Sequence, residues 1–155
     1  MEKYDPDLAA RVWKRVHADR PAEKPSILPL IQNALEDAAV CQLLSQRFRG
    51  RQSALFRQLA RQLQGHAACL KGIYRLQTGV HAQVQLPKPE NKPTPVLLQR
   101  CYGRTLQALS SYEACRQDPE YGHVFSRLAR ETQAAGQLLL QLFGSLPYPD
   151  SRKNK

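Results

Sequence analysis

The side chains able to do chemistry are few and scattered. His66 and Cys69 lie three residues apart, Glu36 and Asp37 are adjacent, Glu113 stands at the edge of an apolar stretch, and Ser110 and Ser111 have no identifiable base. Residues at i and i+3 share a helical face, so a carboxylate or thiol at that distance from a histidine reaches the same metal ion. The run Leu63-Gln-Gly-His66 has this spacing but offers leucine where a carboxylate would complete the pair. His66 with Cys69 has no second pair beside it, so Cys69 reads as a core cysteine. No Ser-His-Asp or Cys-His nucleophile and no glycine-rich phosphate loop can be assembled, so no catalytic residue is nominated and an enzyme is not favoured.

These residues must be positioned by helices. Ser26 precedes a stripe of Ile27, Leu30, Ile31, Ala34, Leu35, Ala38 and Cys41 that predicts a capped helix from Ile27 to about Arg49, ended by Gly50. A second runs from about Gln52 to Gln77, with Leu55, Leu59, Leu63, His66, Leu70 and Ile73 on one face and Gly79 at its C-terminal end. Pro87, Pro89, Pro93 and Pro95 then forbid a regular helix. About fifteen residues at roughly 3.3 Å each reach on the order of 50 Å, enough to cross a bundle whose 22-residue helices are about 33 Å long. A third helix from about Val96 to Arg116 and a fourth from Pro119 to Phe143 follow, joined by a Gln117-Asp118 turn. The reading is all-α and single-domain: an amphipathic arm over residues 5–18, a four-helix bundle over 27–144, and a polar, proline-broken tail over 145–155.

Leu35-Glu-Asp-Ala-Ala, Phe48-Arg-Gly, Gln62-Leu-Gln-Gly-His-Ala-Ala-Cys-Leu-Lys-Gly-Ile-Tyr and Asp118-Pro-Glu-Tyr-Gly, with the long crossover, resemble the rubrerythrin-like branch of ferritin-like proteins over roughly residues 27–144. The resemblance implies two metal ions at the bundle centre, held by one Glu from each of two helices and Glu-x-x-His from each of the other two. It places Leu63 and His66 at the second helix's ligand positions, and Thr132 and Ala135 at the fourth's. No Asp or Glu occurs from Ala38 to Pro89 and no histidine follows His123, so most of that ligand set is missing however the chain is aligned. Glu36 projects about 180° from Ile27, away from the stripe, which leaves Ala34 as the matching position. Glu113 falls within about 50° of its helix's apolar face and is the best remaining carboxylate. Two outcomes are open: a single Zn or Fe ion at His66 and Glu113, with Glu36 a weaker third ligand, or no cofactor and a buried His66 hydrogen-bonded to Glu113 or to a tyrosine hydroxyl. The second makes the chain a degenerate, metal-free member acting as a structural or interaction module.

Lys and Arg number 23 against 13 Asp and Glu, a formal net charge of +10. Arg57, Arg61, Gln64, Lys71 and Arg75 fall within about 80° of one another on the second helix, which carries no acid. Arg47, Arg49 and Arg51 extend this basic face toward the hairpin tip, a surface for an acidic protein or a phosphate backbone. Four cysteines spread singly argue against a disulfide framework. No apolar run approaches the roughly 18 residues that cross a bilayer, and the Met1-Glu-Lys-Tyr start lacks a signal peptide's apolar stretch. A cytoplasmic homodimer, joined through helix faces or the arm around Trp13, is the expectation.

Overall fold

The computed structural model describes residues 26–146, so the N-terminal arm with Trp13 and the tail beyond Leu146 lie outside the described residues. All regular structure among the described residues is helical: α1 (Ile27–Arg47), α2 (Gly50–Thr78), α3 (Thr94–Ala114) and α4 (Gly122–Ser145). Helix α1 packs on α2 and α3, and α4 packs on α3 and α2, so α1 and α4 lie across one diagonal and α2 and α3 across the other. The two hairpins of the sequence reading are therefore present, side by side.

Several helix ends differ from expectation for identifiable reasons. Helix α1 stops at Arg47, and Gly50, expected to end it, instead opens α2 with a φ of 61°. That left-handed backbone turns the chain within two residues, which suits glycine. Ser53 then fastens the corner, its hydroxyl donating to the Ser45 carbonyl at 2.7 Å while Arg57 Nη1 donates to Ser53 Oγ at 2.7 Å. Ser26 occupies the N-cap position of α1, but its side chain makes no capping hydrogen bond. Gly79 ends α2 as expected, with φ 80° and its N–H donating to the Arg75 carbonyl at 2.8 Å.

The connection before α4 is longer than a two-residue turn. Asp118 Oδ1 accepts from the Glu120 and Tyr121 N–H groups at 2.9 and 2.8 Å, so these donors are satisfied in a local turn and α4 begins only at Gly122. A Cβ at Gly122 would run into the Arg116 carbonyl oxygen, so the close return of the chain requires glycine.

Residues 79–93 run the length of α1. Gln32, near its start, exchanges hydrogen bonds with Gln85 (Nε2 to O 3.0 Å; N to Oε1 3.1 Å). Arg47, its last residue, donates to the Lys92 carbonyl at 2.5 Å, Asn91 Oδ1 at 2.6 Å and Thr94 Oγ1 at 3.1 Å. The fifteen residues from Gln32 to Arg47 advance about 22 Å, so the proline-rich segment is a pinned strap across the bundle. Arg47 thereby leaves the basic face proposed from sequence and serves the connection.

The apolar core is in two parts. An upper cluster gathers Leu44, Phe56, Leu97, Leu139 and Leu142 near the α1–α2 corner, with Phe48 stacked on Phe56 at a centroid separation of 5.3 Å. A lower cluster gathers Ile31, Leu70, Tyr112, Phe125 and Leu128. Between them lie three of the few buried polar residues, Asp37, His66 and Thr132.

Candidate functional site: the polar layer of the bundle

Asp37, His66 and Thr132, from three different helices, line one central cavity of about 20 Å³ together with Cys41, Leu63, Cys101, Thr105 and Ala135. This volume admits about one water molecule and no organic substrate. Leu63 and His66 of α2 and Thr132 and Ala135 of α4, the positions that the resemblance assigns on the second and fourth helices, line the same cavity, whereas Ala34 and Glu113 do not. What the four bring is one imidazole, one hydroxyl and two apolar side chains.

His66 is 2% exposed. Its Nε2 lies 2.8 Å from Glu131 Oε1 on α4, and Arg127, one turn earlier, approaches the other oxygen of that carboxylate at 3.4 Å. Burial pushes the imidazole below its ordinary value of 6.5, against the opposing pull of Glu131. The ring is therefore neutral at pH 7 and its Nε2–H donates to the carboxylate, which fixes Nδ1 as the unprotonated nitrogen. Nδ1 is buried without a hydrogen-bond partner. Burial raises the Glu131 carboxyl, but the bond from His66 and the Arg127 charge outweigh it and hold the group below the ordinary 4.5. Tyr112 stands edge-on to the imidazole at a centroid distance of 6.0 Å.

The partner expected for His66 is Glu113 or a tyrosine hydroxyl, and the hydrogen bond goes instead to Glu131, with Tyr112 in ring contact. Glu113 is exposed on α3 and makes no hydrogen bond or ion pair to His66. A wheel angle of about 50° from the apolar direction already reaches a helix's solvent edge where the neighbouring helix is not broad enough to cover it. Glu36 is likewise at the margin, half-buried and bonded to Arg104 Nη2 at 3.2 Å. The inward carboxylate of α1 is Asp37, 9% exposed, and the Arg104 guanidinium Nε donates to its Oδ1. Burial is the larger influence on Asp37 and raises its carboxyl above 3.8, with Arg104 pulling the other way.

The layer is thus made of pairs that cross between helices. Asp37 joins α1 to Arg104 on α3, and His66 joins α2 to Glu131 on α4. The buried charged groups of the layer are thus paired, which is what makes them tolerable inside an apolar bundle. Among the described residues no group of three or more His, Cys, Asp or Glu side chains is arranged to hold a metal ion. A two-metal carboxylate centre does not fit the side chains present: Asp37 is engaged by a cation, His66 Nε2 by a carboxylate, and Leu63 and Ala135 have no donor atom.

Compared with models of protein families, with curated proteins and with solved structures, the chain finds no match.

Sequence reasoning missed Glu131, Asp37 and Arg104. A signal existed for Asp37, which lies three residues after Ala34 and four before Cys41 and so sits on the apolar stripe itself. A charge in that place calls for a partner, and Arg104, three residues after Cys101, answers it. Glu131 is adjacent to the inward Thr132, and no spacing rule singles it out.

The basic face of α2 is exposed. Arg57, Arg61, Gln64, Lys71 and Arg75 all reach solvent, and among the described residues no carboxylate forms an ion pair with any of these four cations. Arg75 is drawn toward His81, with Nη1 3.0 Å from Nδ1. No described helix is long and apolar enough to cross a membrane.

Proposed function

We propose that this chain is a ferritin-like bundle of the rubrerythrin-like kind whose metal centre has been replaced by cross-helix side-chain pairs, and that it acts as a structural or interaction module. The observation that carries the reading is the hydrogen bond from His66 to Glu131 within a cavity lined by Leu63, Thr132 and Ala135. Leu63, His66, Thr132 and Ala135, which the resemblance puts at ligand positions, line one cavity, yet Leu63 and Ala135 carry no donor atom and His66 Nε2 is already engaged, which supports the reading. The hairpin–strap–hairpin order supports the same family. The exposed cations of α2, which form no ion pair among the described residues, are the surface on which an anionic partner would dock, since such charges attract anions over a Debye length of about 8 Å at physiological salt.

The reading is tested by metal analysis of protein purified without added metal. Iron and zinc are expected well below one per chain and unchanged by His66→Ala. Near-stoichiometric iron or zinc that disappears in His66→Ala would overturn it, and would favour the single-ion alternative at His66.

A further inference from the structure

The side-chain pairs so far described account for the acids and the histidine of the central layer but not for its sulfur. Cys41 on α1 and Cys101 on α3 are 1% and 7% exposed, and their Sγ atoms are 3.9 Å apart, in contact across the junction between the two hairpins. Both line the central cavity. A disulfide needs an S–S separation of about 2.05 Å, so the sulfurs must close by about 1.9 Å, a movement on the scale of rotamer adjustment by two short side chains.

We propose that Cys41 and Cys101 are an oxidisable dithiol, and that their disulfide fastens one hairpin of the bundle to the other. With hydrogen peroxide as oxidant the chemistry closes in two steps. The Cys101 sulfur attacks one peroxide oxygen, the O–O bond breaks, and the thiol proton leaves with the departing hydroxide as water. The sulfenic acid so formed is then attacked by the Cys41 sulfur; the S–S bond forms, the S–O bond breaks, and the Cys41 proton leaves with that hydroxide as a second water. Two electrons pass from the sulfur pair to the peroxide.

Cys101 is assigned the first step because it is the less buried of the two. The bond to Cys101 and burial both hold the Cys41 thiol well above its ordinary 9.0, which makes it the poorer first nucleophile, and its attack on the sulfenic acid proceeds as its proton passes to the departing hydroxide. The same burial makes the reaction slow, so the pair responds to sustained rather than brief oxidant. Cys69, less buried and 3.2 Å from Arg127 Nη2, is the thiol that reagents in solution meet first.

The two cysteines are separated by 60 positions. Closing a loop of that length in the unfolded chain is the condition under which a cross-link stabilises most. The product is therefore a bundle whose hairpins cannot part, at no change in the surface of α2.

The test uses the full chain as the Cys69→Ser variant, which removes the readily reached thiol, with the unsubstituted protein in parallel. Reduced protein is incubated with millimolar hydrogen peroxide, alkylated while denatured, and mapped as non-reduced peptides by mass spectrometry. The expected product is a peptide pair joined through Cys41 and Cys101, with the melting temperature raised by about 5–15 °C and both changes reversed by dithiothreitol. Cys41 and Cys101 remaining fully alkylatable after prolonged exposure would overturn the proposal, as would a Cys41 linked mainly to any other cysteine.

Discussion

Arg104→Met should destabilise the protein by about 2–4 kcal/mol at pH 7, because it leaves a carboxylate inside the bundle without its cation. Methionine keeps most of the arginine stem's volume, so the loss is of charge rather than of packing. Asp37 is 9% exposed and has its carboxyl already raised by burial, which Arg104 only partly opposes. Without Arg104 the carboxyl must either remain ionised and unpaired or take up a proton, and the second route limits the cost. The pH dependence follows in sign. The pair contributes only where Asp37 is ionised, so the deficit of the variant is full at neutral pH and disappears as pH falls through the native carboxyl's raised pKa, above the ordinary 3.8. Adding Asp37→Asn to Arg104→Met should recover much of the loss, since neither charge then remains. Urea denaturation of the parent, single and double variants at pH 7 and pH 5 measures all of this. A single variant within about 0.5 kcal/mol of the parent at pH 7 would mean that the pair does not hold the layer together.

Phe56→Ala should cost more, about 3–5 kcal/mol. Phe56 is fully buried and stacked on Phe48 in the upper cluster, whose members come from all four helices. The side chains around it are fixed by the α1–α2 corner and by the strap that Arg47 pins, so the site has little freedom to collapse into the space vacated. Leu106, on α3, is 46% exposed and provides the control: Leu106→Ala should lie within about 0.5 kcal/mol of the parent. Denaturant midpoints at unchanged slope decide the matter. A cost below about 1 kcal/mol at Phe56 would contradict the packing of the upper cluster.

The contrast between these two sites shows what was legible in the sequence. Phe56 lies next to Leu55, where the stripe read from sequence begins, and such periodicity predicts the four helices and, to within a residue, the face they bury; the hairpin pairing follows from the short break at Gly50 and the long connection from its prolines. Helix ends were less accessible, because Gly50 and Asp118 act through local backbone geometry that can be read two ways: a glycine may end one helix or open the next, and Pro119 within a turn looks the same as Pro119 opening a helix. The polar layer was the least accessible. His66 was placed inward correctly, since it sits mid-stripe, but its partner depended on how α4 rotates against α2, which no single-helix wheel contains. Glu113 was favoured for lying near an apolar direction on its own helix. Glu131 has the role because it points at α2. Cys41 and Cys101, each unremarkable on its own stripe, become a pair only when α1 and α3 are laid together.

The state of His66 is the centre of this account, and its ring nitrogens can be observed directly by long-range proton–nitrogen correlation in isotopically labelled protein. At pH 7 the spectrum should show a neutral imidazole with its proton on Nε2 and an unprotonated Nδ1, unchanged when zinc or ferrous ion is added in slight excess. On acidification His66 should take up its proton only below the ordinary 6.5. Because the unfolded chain protonates first, the stability contributed by the neutral ring is present above pH 6.5 and is lost as pH falls through the native pKa. A neutral ring with its proton on Nδ1 and a bare Nε2, or ring nitrogens displaced by stoichiometric metal, would contradict the bond to Glu131 and with it the metal-free reading of the bundle centre.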